Sequence, residues 1–262
     1  MKQFLKLAML STAAAAFATS GLYAQTVSRA YGIQVYSESM KTDDPQKLIS
    51  FPVDNPQDIT VEETFSDFSV MAATCHNDLY YMLQTDDGVV PTKLVTYDIS
   101  RHTFSEVATF NFNYDLAASL MVVDMTYDPS SDLIYAVALN LAEGEFVDDN
   151  IDAPFGLFTI DPQSGYTELV AYQETAFIVA LASNEYELWG VDSEGNVWIV
   201  NKYRGYLDDI MTSTGIAAVG LQSMAYDFGS GHFYWPSYTQ RGEDGKSELL
   251  WFGVNDWWDI ES

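Results

Sequence analysis

The sequence predicts an all-β chain folded as a β-propeller, a ring of about five four-stranded blades that is incomplete or open. Three observations predict it. A turn followed by an apolar strand ending in aromatics recurs as TCHNDLYYML at 74–83, YDPSSDLIYAVAL at 127–139, ASNEYELWGV at 182–191 and YDFGSGHFYW at 226–235. An alternating strand ending in Asp or Asn follows each time, as LVTYD at 94–98, LFTID at 157–161, VWIVN at 197–201 and LWFGVN at 250–255. Long capped helical periods are missing. Tyr81, Tyr135, Trp189 and Tyr234 mark equivalent places separated by 54, 54 and 45 residues. A period near that length holding four strands is the signature of a propeller blade.

Taken in order, the chain opens on an address. Lys2 and Lys6 precede a 12-residue apolar stretch at 7–18, LAMLSTAAAAFA, the length of a signal-peptide core and too short to span a bilayer. Cleavage after Ala24 fits, so residues 1–24 read as a signal peptide and 25–262 as the propeller, exported to the periplasm or beyond. No later stretch is apolar enough to cross a membrane.

A partial N-terminal blade over 30–65 follows, with strands YGIQVYS at 31–37, KLISFPV at 47–53 and ITVEETF at 59–65. Full blades cover 68–113, 116–173 and 175–214, and a partial blade covers 218–262. With strands labelled a to d from the channel outward, the a strands are FSVMAAT at 68–74, SLMVVDMTY at 119–127, AFIVALA at 176–182 and VGLQSMAY at 219–226. They are almost wholly apolar or small, as strands packed on both faces must be. Asp or Asn at the end of strand c can bond the backbone two residues on and start a turn. Gly165 and Gly205 supply the positive φ such turns need. Gly195-Asn196 marks a tight hairpin. These pieces total 18 strands, where five blades need 20.

The turns DPQSG at 161–165 and DPSSD at 128–132 resemble those of secreted bacterial β-propeller repeat proteins, the broad TolB-like and quinoprotein-like group. The resemblance covers residues 30–262 and implies the architecture. It carries no catalytic residue over, because propellers host many unrelated activities.

Composition narrows the partners. Acids number 38 against 11 Lys plus Arg, a formal charge of −27. Nucleic acid and anionic membrane surfaces are thereby disfavoured, since both need a basic surface. With 48% apolar residues and 15% aromatics, the chain forms a core and is not a disordered acidic tail. One Cys excludes a disulfide framework and a multi-Cys zinc site.

Loops joining b to c and d to a share one face of a propeller. The five b–c loops hold 14 acids in 50 residues, against 24 in the other 212. The c–d turns of the opposite face hold Arg101, Lys202 and Arg204. An acidic b–c face is therefore expected. Such a surface attracts cations or basic partners by its field, while also serving solubility. The long loop at 143–156 places Asp148, Asn150 and Asp152 at alternating positions, like the opening of a calcium loop. It lacks the glycine and the closing glutamate of that motif, Ala153 and Thr159 standing in their places. No other cofactor is expected.

Cys75 and His76 adjoin on a strand, so they face opposite ways and make no nucleophile pair. His76 and His102 fall at different radii of one blade and His232 in another, which argues against a shared metal. Phosphate-loop, G-x-S-x-G and H-E-x-x-H motifs are absent from the sequence. Trp189, Trp198, Trp235 and Trp251 read as packing between blades. Trp257 and Trp258, with Tyr203 in the preceding turn, read as a candidate stacking platform. The expected function is an exported, non-enzymatic propeller that binds a protein or glycan through its acidic loop face. Open blade edges would allow self-association. The alternative is a glycan hydrolase or lyase with carboxylates converging in the channel. The a strands offer one acid for that, Asp124.

Overall fold

The computed structural model describes residues 16–17, 29–34, 45–86, 88–144, 146–147, 150–151, 153–184, 186–217, 222–241, 244–254 and 260–261. Among them the strands form five four-stranded antiparallel sheets and one two-stranded hairpin. The first sheet holds β1 (Ala16–Phe17), β2 (Arg29–Gln34), β3 (Gln46–Pro52) and β4 (Thr60–Phe65). The second holds β5 (Ser69–His76), β6 (Leu79–Thr85), β7 (Pro91–Asp98) and β8 (Thr103–Thr109). The third holds β9 (Leu120–Asp128), β10 (Leu133–Asn140), β13 (Phe155–Ile160) and β14 (Thr167–Tyr172). Between β10 and β13 lies the hairpin of β11 (Phe146–Val147) and β12 (Asn150–Ile151). The fourth holds β15 (Ile178–Ser183), β16 (Leu188–Asp192), β17 (Asn196–Val200) and β18 (Leu207–Ser213). The fifth holds β19 (Ala225–Asp227), β20 (His232–Arg241), β21 (Asp244–Val254) and β22 (Ile260–Glu261).

Every sheet pairs its strands in chain order. The inner strands β1, β5, β9, β15 and β19 lie side by side around an axis, with β19 beside β1. The protein is a five-bladed β-propeller. No strand of the last sheet pairs with the first among the described residues, so hydrogen bonds do not close the ring.

The count of 18 strands is corrected to 20 by two-residue strands at the ends. β22 completes the last blade. β1 completes the first, pairing Ala16 with Tyr31 and Phe17 with Ala30. It does so from within the segment expected to be an export signal.

The four repeat markers fall in one register. Tyr81 pairs with Thr74, Tyr135 with Thr126, Trp189 with Ala182 and Tyr234 with Ala225. The core lies between the sheets. Leu48, Tyr80, Leu83, Val122 and Phe158 fill the space among the first three. Val137, Leu157, Leu181 and Leu188 join the third to the fourth. Trp189, Val191, Phe233 and Trp235 join the fourth to the fifth. Each such large side chain removed from water contributes about 1.5–3 kcal/mol. Trp251 departs from the expected packing role. It is 47% exposed, and the His232 ring lies 4.8 Å from it.

Side chains also stitch one inner strand to the next. Thr74 Oγ1 accepts the Tyr127 N–H at 3.0 Å, and Thr126 Oγ1 accepts the Ser183 N–H at 3.2 Å. These threonines stand at equivalent positions of successive blades, so the repeat reaches into the joints between sheets.

Candidate functional site

The channel was the place to look for paired carboxylates. Strand a ends later than the sequence suggested, which adds Asp128 and Asp227 to Asp124 on the inner strands. All three are buried. Asp124 Oδ2 accepts the N–H of Leu181 at 2.7 Å and of Met224 at 3.4 Å, so it ties the third blade to the fourth and fifth. Burial pushes this carboxyl well above the ordinary carboxylate value, and the N–H donors counter only part of that rise. Asp227 accepts the N–H groups of Gly229 and Ser230 in its own turn.

Asp128 gathers more donors. Ser183 donates to Oδ1 at 2.8 Å, and Ser130 and Ser131 donate to Oδ2 at 2.9 and 2.6 Å. Lys202 Nζ lies 3.2 Å from Oδ2 and donates to Ser130 at 2.6 Å. Burial alone would raise the Asp128 carboxyl. The serine bonds and the ammonium outweigh it and hold the group below its usual value. Lys202 is thus a buried fastener between the third and fourth blades and not a free charge on the c–d face. The three inner-strand carboxylates are spent on the fold.

The cysteine and histidines separate as strand alternation requires. Cys75 lies near Tyr31 of the first sheet, and burial pushes its thiol up to about 12. His76 stacks on Tyr127 of the third sheet, ring centroids 4.0 Å apart, and Asn77 Nδ2 meets its Nε2 at 2.6 Å. His102 Nδ1 meets Tyr97 Oη at 2.8 Å.

Of the residues expected to bind, Tyr203 sits in the c–d turn of the fourth blade and is 80% exposed. Trp257 and Trp258 lie outside the described residues. So do Asp148 and Asp152, and only the backbone of Asn150 is described, in β12.

A groove of about 350 Å³ opens at the rim between the second and third blades. One wall is the connection from β8 to β9, carrying Phe110, Tyr114, Asp115 and Leu116. The other is the c–d turn of the third blade, carrying Ser164 and Tyr166. Each wall is built locally. Asp115 Oδ2 accepts the Asn111 N–H at 2.6 Å, and the N–H groups of Tyr114 and Asp115 return to the Asn111 carbonyl. A short 3-10 helix over Leu116–Ser119 then leads into β9. On the other side, Asp161 Oδ1 accepts the N–H of Gln163 and of Ser164, both at 2.8 Å. Those bonds hold the Asp161 carboxyl below its usual value.

Gly165, at φ +73°, brings the walls together. A Cβ placed there would stand 2.7 Å from Ala108 Cβ. Tyr114 and Tyr166 are left 86% and 65% exposed, and the Tyr166 hydroxyl is drawn upward in pKa by its bond to Glu168.

Sequence reading missed this groove because its walls come from different repeats. The signal available was the connection at 110–119, longer than its counterpart at 173–177, together with a Gly-Tyr pair closing the turn.

No protein-family model matches the chain, and no curated protein matches its sequence. Several solved structures align with the chain at low identity. One is a structural-genomics protein of unknown function from Bacteroides thetaiotaomicron, 12% identical, with 88% of this chain and 63% of that one covered at a TM-score of 0.42. Another is TolB from Acinetobacter baumannii, 11% identical, with coverages of 85% and 48% and a TM-score of 0.47. A third is an oligogalacturonate lyase in complex with manganese, 10% identical, with coverages of 84% and 61% and a TM-score of 0.44. This chain spans less than two thirds of each. Likeness at this level says nothing of activity. No described helix is long and apolar enough to cross a membrane.

Proposed function

We propose that this chain is an exported propeller that binds a protein or a glycan and does no chemistry on it. The supporting observation is the fate of the inner-strand carboxylates. A channel hydrolase or lyase needs two acids converging on substrate with their proton affinities set apart. Here Asp124 serves the backbone of two neighbouring blades, while Asp128 and Asp227 serve turns and a lysine. The acid-rich b–c loops and the solvent-facing tyrosines are the surface this reading assigns to recognition.

The test pairs binding with turnover. The purified chain is titrated with oligosaccharides in a calorimeter, and each mixture is followed overnight by mass spectrometry. Binding with intact ligand is the expected result. Cleavage products that vanish in the Asp124→Asn variant would place catalysis in the channel and end the reading.

A further inference from the structure

We propose that the rim groove between the second and third blades is a carbohydrate subsite, shaped for an uncharged pyranose ring held against Tyr114 and Tyr166. The proposal rests on the binding reading above and names the ligand class for one site.

The chemistry of the lining selects the ligand. Tyr114 and Tyr166 face solvent from opposite walls, and Phe110 and Leu116 give the groove an apolar component. Large exposed aromatic surface on a soluble chain marks an interaction site more often than chance would place it. A purely apolar partner does not suit this groove, because the polar residues Thr109, Asp115 and Ser164 line it beside the rings. Sugars present the matching combination. One face of a pyranose is a patch of C–H groups that rests on an aromatic ring, and its edge is a row of hydroxyls that need acceptors and donors.

Charge then narrows the class. Asp115 lines the groove and Glu168 bonds the Tyr166 hydroxyl, while no lysine or arginine lines it among the described residues. Uronates, sulfated sugars and phosphates would bring a negative charge into this field without a counter-ion. Neutral sugars pay no such penalty.

The walls are also set rigidly for a surface site. Asp161 and Asn111 fix their turns by backbone bonds, and Gly165 fixes the two turns against each other. A preformed groove loses little freedom on binding. In the fourth blade the equivalent turn, with Gly205 and Tyr206, meets Ala171 of β14 and Gln173, whose side-chain amide donates to the Gly205 carbonyl at 2.7 Å.

The experiment titrates the full chain with cellohexaose, xylohexaose and mannohexaose as neutral probes and hexagalacturonate as the acidic one. At least one neutral probe should bind, and hexagalacturonate should bind at least tenfold more weakly. Tyr114→Ala and Tyr166→Ala should each weaken the neutral probe about tenfold, and both together should remove binding. Phe228→Ala, at a residue 49% exposed in the a–b turn of the fifth blade, should leave it unchanged. Equal melting temperatures of the variants exclude unfolding as the cause, and Tyr166→Phe should keep most of the affinity because the ring is retained.

Failure takes distinct forms. Binding that survives the double tyrosine variant but falls in Tyr203→Ala overturns the groove and leaves the binding reading standing. Binding of hexagalacturonate in preference to the neutral probes overturns the ligand class. Silence of all three neutral probes overturns the carbohydrate assignment, while turnover of any probe overturns the binding reading itself.

Discussion

Two buried aspartates of one strand meet opposite fates, set by which donors reach them. Asp124 receives backbone N–H groups, which carry no net charge, so burial dominates and its proton is held tightly. Asp128 receives three serines and an ammonium, so its charged form wins. The signs of their pH effects differ accordingly. An unfolded aspartate titrates near 3.9. The folded chain keeps the Asp124 proton above that value, so its contribution to stability is full at low pH and is lost as pH rises through the folded value. Asp128 does the reverse, contributing above about 3.9 and failing as pH falls through its depressed value. Asp124→Asn keeps an acceptor for Leu181 and removes the titration. Its melting temperature should therefore hold steady from pH 5 to pH 9 where the parent declines, by about 1.4 kcal/mol for each tenfold of proton affinity. Superimposable pH curves for variant and parent would show that Asp124 is not held protonated.

Two successive joints between blades share one contact at the rim. Gly165 of the third blade rests on Ala108 of β8, and Gly205 of the fourth rests on Ala171 of β14. Both glycines have positive φ, and in each case a Cβ would stand 2.7 Å from the alanine Cβ. Gly205→Ala therefore adds a clash between blades to a backbone penalty, and should cost about 1–3 kcal/mol. Adding Ala171→Gly relieves the clash alone, so the double variant should regain part of that loss in chemical denaturation. No regain would mean that the contact is not what sets the cost.

This level of the structure was the most legible in the sequence. Asp98, Asp161 and Asn201 cap their own turns by bonds to residues two and three positions on, and a local bond leaves a local signature. The rim groove left none, because Tyr114 and Tyr166 belong to different repeats and meet only once the blades stack. Lys202 stands in its c–d turn as read, but its pairing left no local sign, since its partner Asp128 lies 74 positions away. β1 and β22 escaped because two residues cannot display an alternation.

At the scale of the whole ring, the seam is lined by β1, a strand too short to be read from its residues. β1 lies beside both β5 and β19, so it stands at the seam between the first blade and the last. A chain beginning at residue 25 lacks it, which leaves the Ala30–Tyr31 edge of β2 without its pair. Such a chain should melt lower than the full one, by about 2–4 °C for each kcal/mol lost. It should also associate as its concentration rises, because an uncovered strand edge invites another. Light scattering and calorimetry on both chains check this, and a monomeric, equally stable short chain would remove β1 from the account of closure.

Because every sheet is one uninterrupted stretch of chain, the gene is divisible at the blade boundaries. Duplicating or deleting one such segment would add or remove an entire wedge without cutting through any sheet. Propellers that weave both termini into a shared sheet lose that freedom. Here the circumference is divisible into contiguous segments, each carrying one whole sheet.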